Sequence, residues 1–184
     1  MSFASTIYDT SYIEQVTVAD SSVEFVTNQE AADYARVETT DSVIAILIDA
    51  AHRAFEEYTA SLLLKRQVTA TFSVARDGQA KLELPYKPAT DITSVQDEDG
   101  EDLDYTQEGN WIVLDNEFSG DTITVIYTAG LYESDDEIDG QIKLGLLKYI
   151  SSSYDDRDDT VMGSVTEMPN SSKKLWEPYR YRVL

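Results

Sequence analysis

The stretch that decides the fold is Leu84-Pro85-Tyr86-Lys87-Pro88-Ala89-Thr90-Asp91-Ile92-Thr93-Ser94-Val95. Pro85 and Pro88 have no backbone N–H to donate to a sheet, so they end one strand and begin a turn. The alternating residues 92–95 then start a new strand, and Asp99-Gly100 supplies a turn after it. These strand-ending prolines and turn residues predict a β-region whose strands are joined by short connections.

The apolar residues keep a period of two from Lys65 to Thr128, which predicts a small antiparallel sheet of about four to six strands. The alternating apolar positions of the first two strands are Val68, Ala70, Phe72 and Val74, followed by Ala80, Leu82 and Leu84. Asp77-Gly78 between them is typical of a hairpin turn, so these two strands are expected to pair. Residues 111–114 and 122–127 supply two more strands.

Helices are predicted on both sides of this region. Thr27 and Glu30 form a capping-box pattern that opens a short helix through Arg36. A long helix capped by Asp41 is predicted from Ser42 to about Ala60. Its apolar stripe is Ile44, Leu47, Ile48, Ala51, Phe55 and Tyr58. A second long helix is predicted from about Glu137 to Tyr154, after an acidic run at 133–137.

The first long helix carries more apolar residues than one buried stripe requires. The extra residues beside the stripe are Val43, Ile46, Ala50 and Ala54. A second contact is therefore expected, either with the chain's own sheet or with a neighbouring subunit. These four residues are our candidate subunit-interface residues.

The two ends of the chain are interpreted as arms around a core. Residues 1–27 are predicted to form an extended N-terminal arm, which a neighbouring subunit could order. Residues 28–157 form the core, with the β-module inserted at about 65–128, and residues 158–184 are a linker and C-terminal arm. The predicted fold class is α+β. It combines a small helical bundle (two long helices plus a short one), an inserted antiparallel β-sheet or hairpin module, and extended arms.

The composition of the chain argues against several classes of function. The 35 acidic and 14 basic residues give a formal charge of −21, which argues against wrapping nucleic acid, because phosphate contacts need clustered Lys and Arg. The chain has no cysteine, so disulfides and thiolate chemistry are excluded. It has no apolar run of about 18 residues and no basic segment at its N-terminus, so we expect neither a membrane span nor a signal peptide.

The candidate chemical sites are weak. His52, with Glu56 one helical turn later, is the single histidine, whereas zinc sites need three or four protein ligands. We expect a solvated or capping histidine there. Residues 97–102 resemble a calcium loop, but the glycine falls too early for that motif, so we interpret them as an acidic hairpin turn. We therefore expect no enzyme, no catalytic residue, no metal and no cofactor.

The C-terminal segment is basic and aromatic, unlike the rest of the chain. Its Trp, Tyr and Arg residues are the types enriched at interface hot spots, and exposing them on a free monomer favours aggregation. The segment therefore either packs on its own domain or binds a partner, and we prefer partner binding. Deletion of residues 175–184 is then expected to leave a folded domain. The candidate contact residues are Leu175, Trp176, Pro178, Tyr179, Arg180, Tyr181 and Arg182.

Four blocks together resemble the head–tail connector (adaptor) proteins of tailed bacteriophages. They are residues 50–59, the proline block quoted above, Tyr127-Thr128-Ala129-Gly130, and the helix end at 154–157 followed by Pro169 and Pro178-Tyr179-Arg180. Their order and spacing carry the resemblance over residues 28–184. Two departures are visible: an acidic run replaces the proline expected before the last long helix, and the family does not account for residues 1–27.

The resemblance implies a structural virion protein, made in the host cytoplasm and located in the neck. Such proteins form a ring, usually twelvefold, beneath the portal, where they extend the DNA channel and dock the next component. The implied partners are further copies of the chain, the portal protein, and a tail or neck-completion protein. DNA is implied only as channel contents, and no membrane is involved. An acidic binding module with calcium as its ligand is the alternative.

Overall fold

The structure, a computed structural model, describes residues 11–20, 25–39, 42–74, 80–134, 137–155 and 169–181. Within these residues it has four α-helices and seven β-strands, which confirms the predicted α+β class. The chain divides into two compact units. The β-unit comprises Met1–Ser21 and Leu64–Leu131, and the helical unit comprises Ser22–Leu63 and Tyr132–Leu184.

The strands of the β-unit make two antiparallel sheets. In chain order they are β1 Ser11–Val18, β2 Arg66–Val74, β3 Lys81–Glu83, β4 Ala89–Asp97, β5 Tyr105–Glu108, β6 Trp111–Leu114 and β7 Thr122–Ala129. The four-stranded sheet has the order β1-β2-β7-β4, and the three-stranded sheet has the order β3-β6-β5. The period-two pattern of the sequence therefore identified strands correctly, but they belong to two sheets and not to one.

The core of the β-unit lies on one face of the four-stranded sheet, where Val68, Phe72, Val125 and Tyr127 are fully or almost fully buried. Burial of each such side chain contributes about 1.5–3 kcal/mol. Two hydrogen bonds show that the three-stranded sheet and the turn after β3 lie on the buried side of the four-stranded sheet. The Ser11 hydroxyl donates to the Lys81 carbonyl at 3.2 Å, and the Tyr86 N–H donates to the Tyr127 hydroxyl at 3.1 Å.

The opposite face of the four-stranded sheet carries side chains that are exposed or half-buried. We call it the outer sheet face. Strand register assigns to it Tyr12, Gln15 and Thr17 of β1, Gln67, Thr69, Thr71 and Ser73 of β2, Thr122, Thr124, Ile126 and Thr128 of β7, and Asp91, Ser94 and Gln96 of β4.

The predicted hairpin between the strands at 68–74 and 80–84 is wrong. β2 pairs with β1 on one edge and β7 on the other, so neither edge is open to β3. β3 pairs with β6 instead. The predicted turn at Asp77-Gly78 lies outside the described residues.

Part of the predicted N-terminal arm is an edge strand of the chain's own sheet. β1 pairs with β2 from Ser11–Val74 to Val18–Val68, with a bulge between Ile13 and Gln15. Val16 and Val18 face the core side and lie opposite buried Ala70 and Val68. This segment therefore needs no neighbouring subunit to become ordered, and the β-unit is larger than the predicted module.

The proline block and the Tyr127–Gly130 block meet in space. β3 ends at Glu83 and β4 begins at Ala89, as the two prolines predict, and the Lys87–Pro88 peptide bond is cis. Ala89 pairs with Ala129, and the Gly130 N–H donates to the Pro88 carbonyl at 3.3 Å. Asn110 holds the turn as well, since its side-chain oxygen accepts from the Ala89 N–H at 3.0 Å.

The helices of the helical unit are α1 Asn28–Ala35, α2 Ser42–Thr59, α3 Gly140–Asp155 and α4 Asn170–Trp176. The capping box of α1 is confirmed: the Glu30 N–H donates to the Thr27 hydroxyl at 3.2 Å, and the Thr27 N–H donates to the Glu30 carboxylate at 3.0 Å. The predicted stripe of α2 faces the core, with Ile44, Ile48, Ala51 and Phe55 buried. Asp41, the predicted cap, lies outside the described residues.

α3 begins a few residues later than predicted because Asp139 caps it. The Asp139 carboxylate accepts from the Gln141 N–H at 2.8 Å, and its carbonyl accepts from the Lys143 N–H at 3.1 Å. Lys143 also forms an ion pair with Glu30 of α1 at 2.6 Å, and this contact lowers the pKa of Glu30. The stability that it supplies is present above the ordinary pKa of glutamate and is lost as the pH falls through the lowered value.

Candidate interaction surfaces

The C-terminal segment folds back onto α2 and α3 over its described residues. It consists of α4, a 3-10 turn at Glu177–Tyr179, the extended residue Arg180, and Tyr181. The Ser172 hydroxyl donates to the Gly145 carbonyl of α3 at 3.0 Å, and the Gln141 side chain of α3 donates to the Leu175 carbonyl at 2.8 Å. The predicted extended C-terminal arm is therefore wrong for residues 169–181.

Trp176 is the largest fully buried side chain of this segment. Its ring packs perpendicular to Phe55 of α2, with ring centroids 5.4 Å apart, and lies 6.2 Å from the ring of Tyr149 of α3. Its indole N–H donates to the Ile142 carbonyl at 3.3 Å. Trp176 is a core residue of the helical unit, so its assignment to a partner surface is wrong. The expectation that residues 175–184 can be deleted without unfolding is withdrawn with it.

The residues after Trp176 are anchored by polar contacts. The Tyr58 hydroxyl donates to the Glu177 carboxylate, and the Arg180 guanidinium lies over the Tyr58 ring, 5.2 Å from its centroid. The Tyr181 N–H donates to the Thr59 carbonyl at the end of α2, at 3.1 Å.

A second polar contact ties the 3-10 turn to the start of α3. The Tyr179 hydroxyl is hydrogen-bonded to the Asp139 carboxylate, which lowers the pKa of Asp139. The pKa of Tyr179 is raised, mainly by burial and further by this hydrogen bond. Tyr179 therefore fixes the segment to the body of the unit through the same carboxylate that caps α3.

The side chains that stay accessible define a smaller surface than the sequence predicted. Pro178, Arg180 and Tyr181 are exposed, as is Lys174 on α4, and we call these four residues the C-terminal patch. Leu175 and Tyr179 are half-buried, and Arg182 lies outside the described residues.

The candidate interface residues of α2 differ in exposure. The Ile46 side chain is 67% exposed and lies on the opposite side of the helix from the buried stripe. Val43, Ala50 and Ala54 are half-buried. Ile46 is therefore the most accessible of the four candidate residues.

The candidate chemical sites have ordinary structural roles. One Asp97 carboxylate oxygen accepts from the N–H groups of Asp99 and Glu101, at 3.0 and 2.9 Å, which closes the predicted acidic turn. The His52 ring is half-buried and packs edge-on against Phe25, with centroids 5.5 Å apart. Across the described ranges, no three His, Asp or Glu side chains are grouped so as to hold a metal ion.

None of the helices in the described part of the chain is both long and apolar enough to cross a membrane.

Comparison with known proteins adds a fold-level match. A chain from the neck of an empty gene transfer agent (GTA) particle, computed with C6 symmetry, is similar with a TM-score of 0.64 at 18% identity, over 92% of this chain and 97% of that chain. A chain from the neck of the native GTA particle, computed with C12 symmetry, has a TM-score of 0.62 at 18% identity and the same coverage. The chain has the fold of a gene transfer agent neck protein.

A chain of the native GTA virion is similar to the same degree, with a TM-score of 0.62 at 18% identity, again over 92% of this chain and 97% of that chain. Because the GTA is a phage-like particle, the resemblance to head–tail connectors is confirmed at the level of the fold. No family model matches the chain, and no curated protein matches it significantly.

Proposed function

We propose that this chain is a structural neck protein of a phage-type virion. In this role it is a head–tail connector that forms a homo-oligomeric ring beneath the portal, extends the DNA channel and docks the next neck or tail component. The observation that carries the proposal is the fold similarity to GTA neck chains over nearly the full length of both chains. The sixfold and twelvefold symmetry of those necks favours a ring, with twelve copies as the expected number.

The charge of the chain supports a role beside DNA without binding it. The formal charge is −21, and no Lys or Arg occurs between Pro88 and Ile142. Repulsion between such an acidic protein and phosphate groups keeps DNA from adhering to the wall of a channel. The acidic composition therefore suits passage of DNA and not its storage.

Imaging the necks of virions that contain this protein tests the proposal directly. We expect density for a ring of copies between the portal and the tail, into which the helical and β-units each fit separately. Necks without such density, or density for the chain elsewhere in the particle, would contradict the proposal.

We assign the flank of α2 around Ile46 to a subunit interface of this ring. Replacing Ile46 with glutamate is expected to weaken ring assembly about tenfold or more, because it buries a charge at the contact. The melting temperature of the monomer should stay nearly unchanged, because the side chain is 67% exposed in the chain alone. Sedimentation velocity measures assembly, and circular dichroism measures melting.

Ala45→Glu is the matched control for Ile46→Glu. Ala45 is exposed in the same turn of α2 but points away from the candidate flank, so the added charge has the same interaction with the helix dipole. Equal loss of assembly in both variants would show that added charge, and not the position of Ile46, is responsible.

We assign portal binding to the C-terminal patch. The double substitution Arg180→Glu and Tyr181→Ala is expected to weaken binding to the portal protein by about 10- to 100-fold, the range of one or two interface hot spots. The measurement is biolayer interferometry on the immobilised portal. Tyr34→Ala on α1, which removes a similarly exposed tyrosine, should leave binding unchanged. If the double variant bound the portal protein as tightly as the wild type does, the portal contact would lie on another surface.

A further inference from the structure

The centre of the outer sheet face has no charged side chain, although 27% of the residues of the chain are charged. Threonine and Ile126 form this centre, and serine, glutamine and Tyr12 surround it. The carboxylates lie at the margins: Asp91 on β4, Glu14 in the bulge of edge strand β1, and Asp102, which pairs with Gln96 and accepts a hydrogen bond from its side chain at 3.0 Å. The face thus has a neutral centre on a strongly acidic protein.

Apolar groups on this face are accessible to a partner. Ile126 lies in the middle strands of the sheet and is only half-buried, and Tyr12 is 59% exposed at the edge. The Thr71 and Thr124 hydroxyls are 3.4 Å apart across β2 and β7, so they can hydrogen-bond to each other. Depletion of charged residues is one feature of the buried centre of a protein–protein interface.

The net charge points to the occupant of this face. Two copies at −21 each repel one another, and the repulsion is greatest where carboxylates of the two copies come together. A contact centred on this face desolvates no carboxylate of the copy that supplies the face, so the repulsion is lower there than at the acidic turns. Serine and threonine side chains also lose little conformational entropy when they are covered.

We infer that the outer sheet face is a contact between neighbouring copies of this chain in the ring. The inference rests on the proposed ring and adds to it a second surface, on the β-unit. A cyclic ring needs contacts between two different surfaces of each copy, so the face meets a different surface of the next copy and not its own counterpart. The centre of the contact is formed by Thr69, Thr71, Thr124 and Ile126.

The absence of native cysteine allows a direct test by thiol labelling. Thr71→Cys places a thiol at the centre of the face, and Thr106→Cys places one at an exposed position on β5 of the other sheet. Each full-length variant is treated with a PEG-maleimide as a monomer and after assembly into rings. The labelling rate of Thr71→Cys should fall about tenfold or more on assembly, while that of Thr106→Cys changes by less than about twofold.

Pre-labelled protein supplies the second measurement. Thr71→Cys that carries the PEG group should fail to join rings, whereas labelled Thr106→Cys should join them. Rings that leave the Thr71→Cys thiol fully reactive, or that shield both thiols equally, would overturn this inference and leave the proposed function standing. A Thr71→Cys thiol that is already unreactive in the monomer would overturn it too, because the chain itself would cover the face. Failure of the wild type to form rings, even with the portal protein present, would overturn both.

Discussion

Replacing Trp176 with alanine is expected to lower the free energy of unfolding of the helical unit by about 3–5 kcal/mol, the usual cost of removing a buried tryptophan. The indole is fully buried between Phe55 and Tyr149, and its N–H bond to the Ile142 carbonyl is lost with it. The surrounding side chains relax only partially into such a cavity. Urea denaturation followed by far-ultraviolet circular dichroism measures the loss.

Tyr181→Ala is the matched control for this experiment. Tyr181 is an aromatic residue of the same segment, but its side chain is 38% exposed, and its bond to Thr59 is made by the backbone. Its replacement should change stability by no more than about 0.5 kcal/mol. If both substitutions had the same small effect, Trp176 would not belong to the core of the unit.

The sequence contained a signal for the burial of Trp176, although the basic and aromatic composition of the C-terminal segment favoured a binding surface. Gly145 stands in the middle of the apolar stripe of α3, where glycine costs a helix about 1 kcal/mol relative to alanine. The structure gives the reason: a Cβ at position 145 would lie 2.2 Å from the indole nitrogen of Trp176. A glycine in a buried stripe is thus a signal that a large side chain can pack closely there. It did not identify which one, because the contact spans 31 residues of sequence, from 145 to 176.

Local sequence patterns predicted the helices and strands well, but they did not predict which strands pair. The capping box at Thr27 and the stripe of α2 depend on residues three or four apart, and the structure has both. Alternation at Val68–Val74 shows that a strand has one buried face, but it says nothing about which strand lies beside it. β2 pairs with β1 and β7 because of the hydrophobic surface that those strands cover together, which a turn signal at Asp77-Gly78 could not predict.

The outer sheet face was missed for the same reason. Each strand shows only a few neutral outward residues, such as Thr69 and Thr71, and solvent-facing threonine is common in strands. The neutral surface emerges only when four strands, distant in sequence, lie side by side. Ile46 was identified because a helix displays its whole circumference within a few turns of sequence.

Replacing Gly130 with alanine is expected to destabilise the β-unit by about 1–3 kcal/mol from backbone strain and by a similar amount from forced displacement of its neighbours. Gly130 has φ of 145°, which residues with a side chain rarely adopt, and a Cβ there would lie 2.4 Å from the Leu64 carbonyl oxygen. The obstacle is backbone, which cannot rotate away as a side chain can. Movement of Gly130 would also break its hydrogen bond to the Pro88 carbonyl and loosen the proline turn.

Gly140→Ala is the matched control for Gly130→Ala. Gly140 begins α3, has no positive φ, and a Cβ there would meet no atom within 4 Å, so alanine should be neutral or slightly stabilising. Thermal unfolding of both variants, with amide hydrogen exchange to assign the loss, measures the difference. Exchange should accelerate in β4 and β7 of Gly130→Ala and leave α2 and α3 protected. If Gly130→Ala were as stable as Gly140→Ala, the contact between the proline block and the Tyr127–Gly130 block would not depend on glycine at position 130.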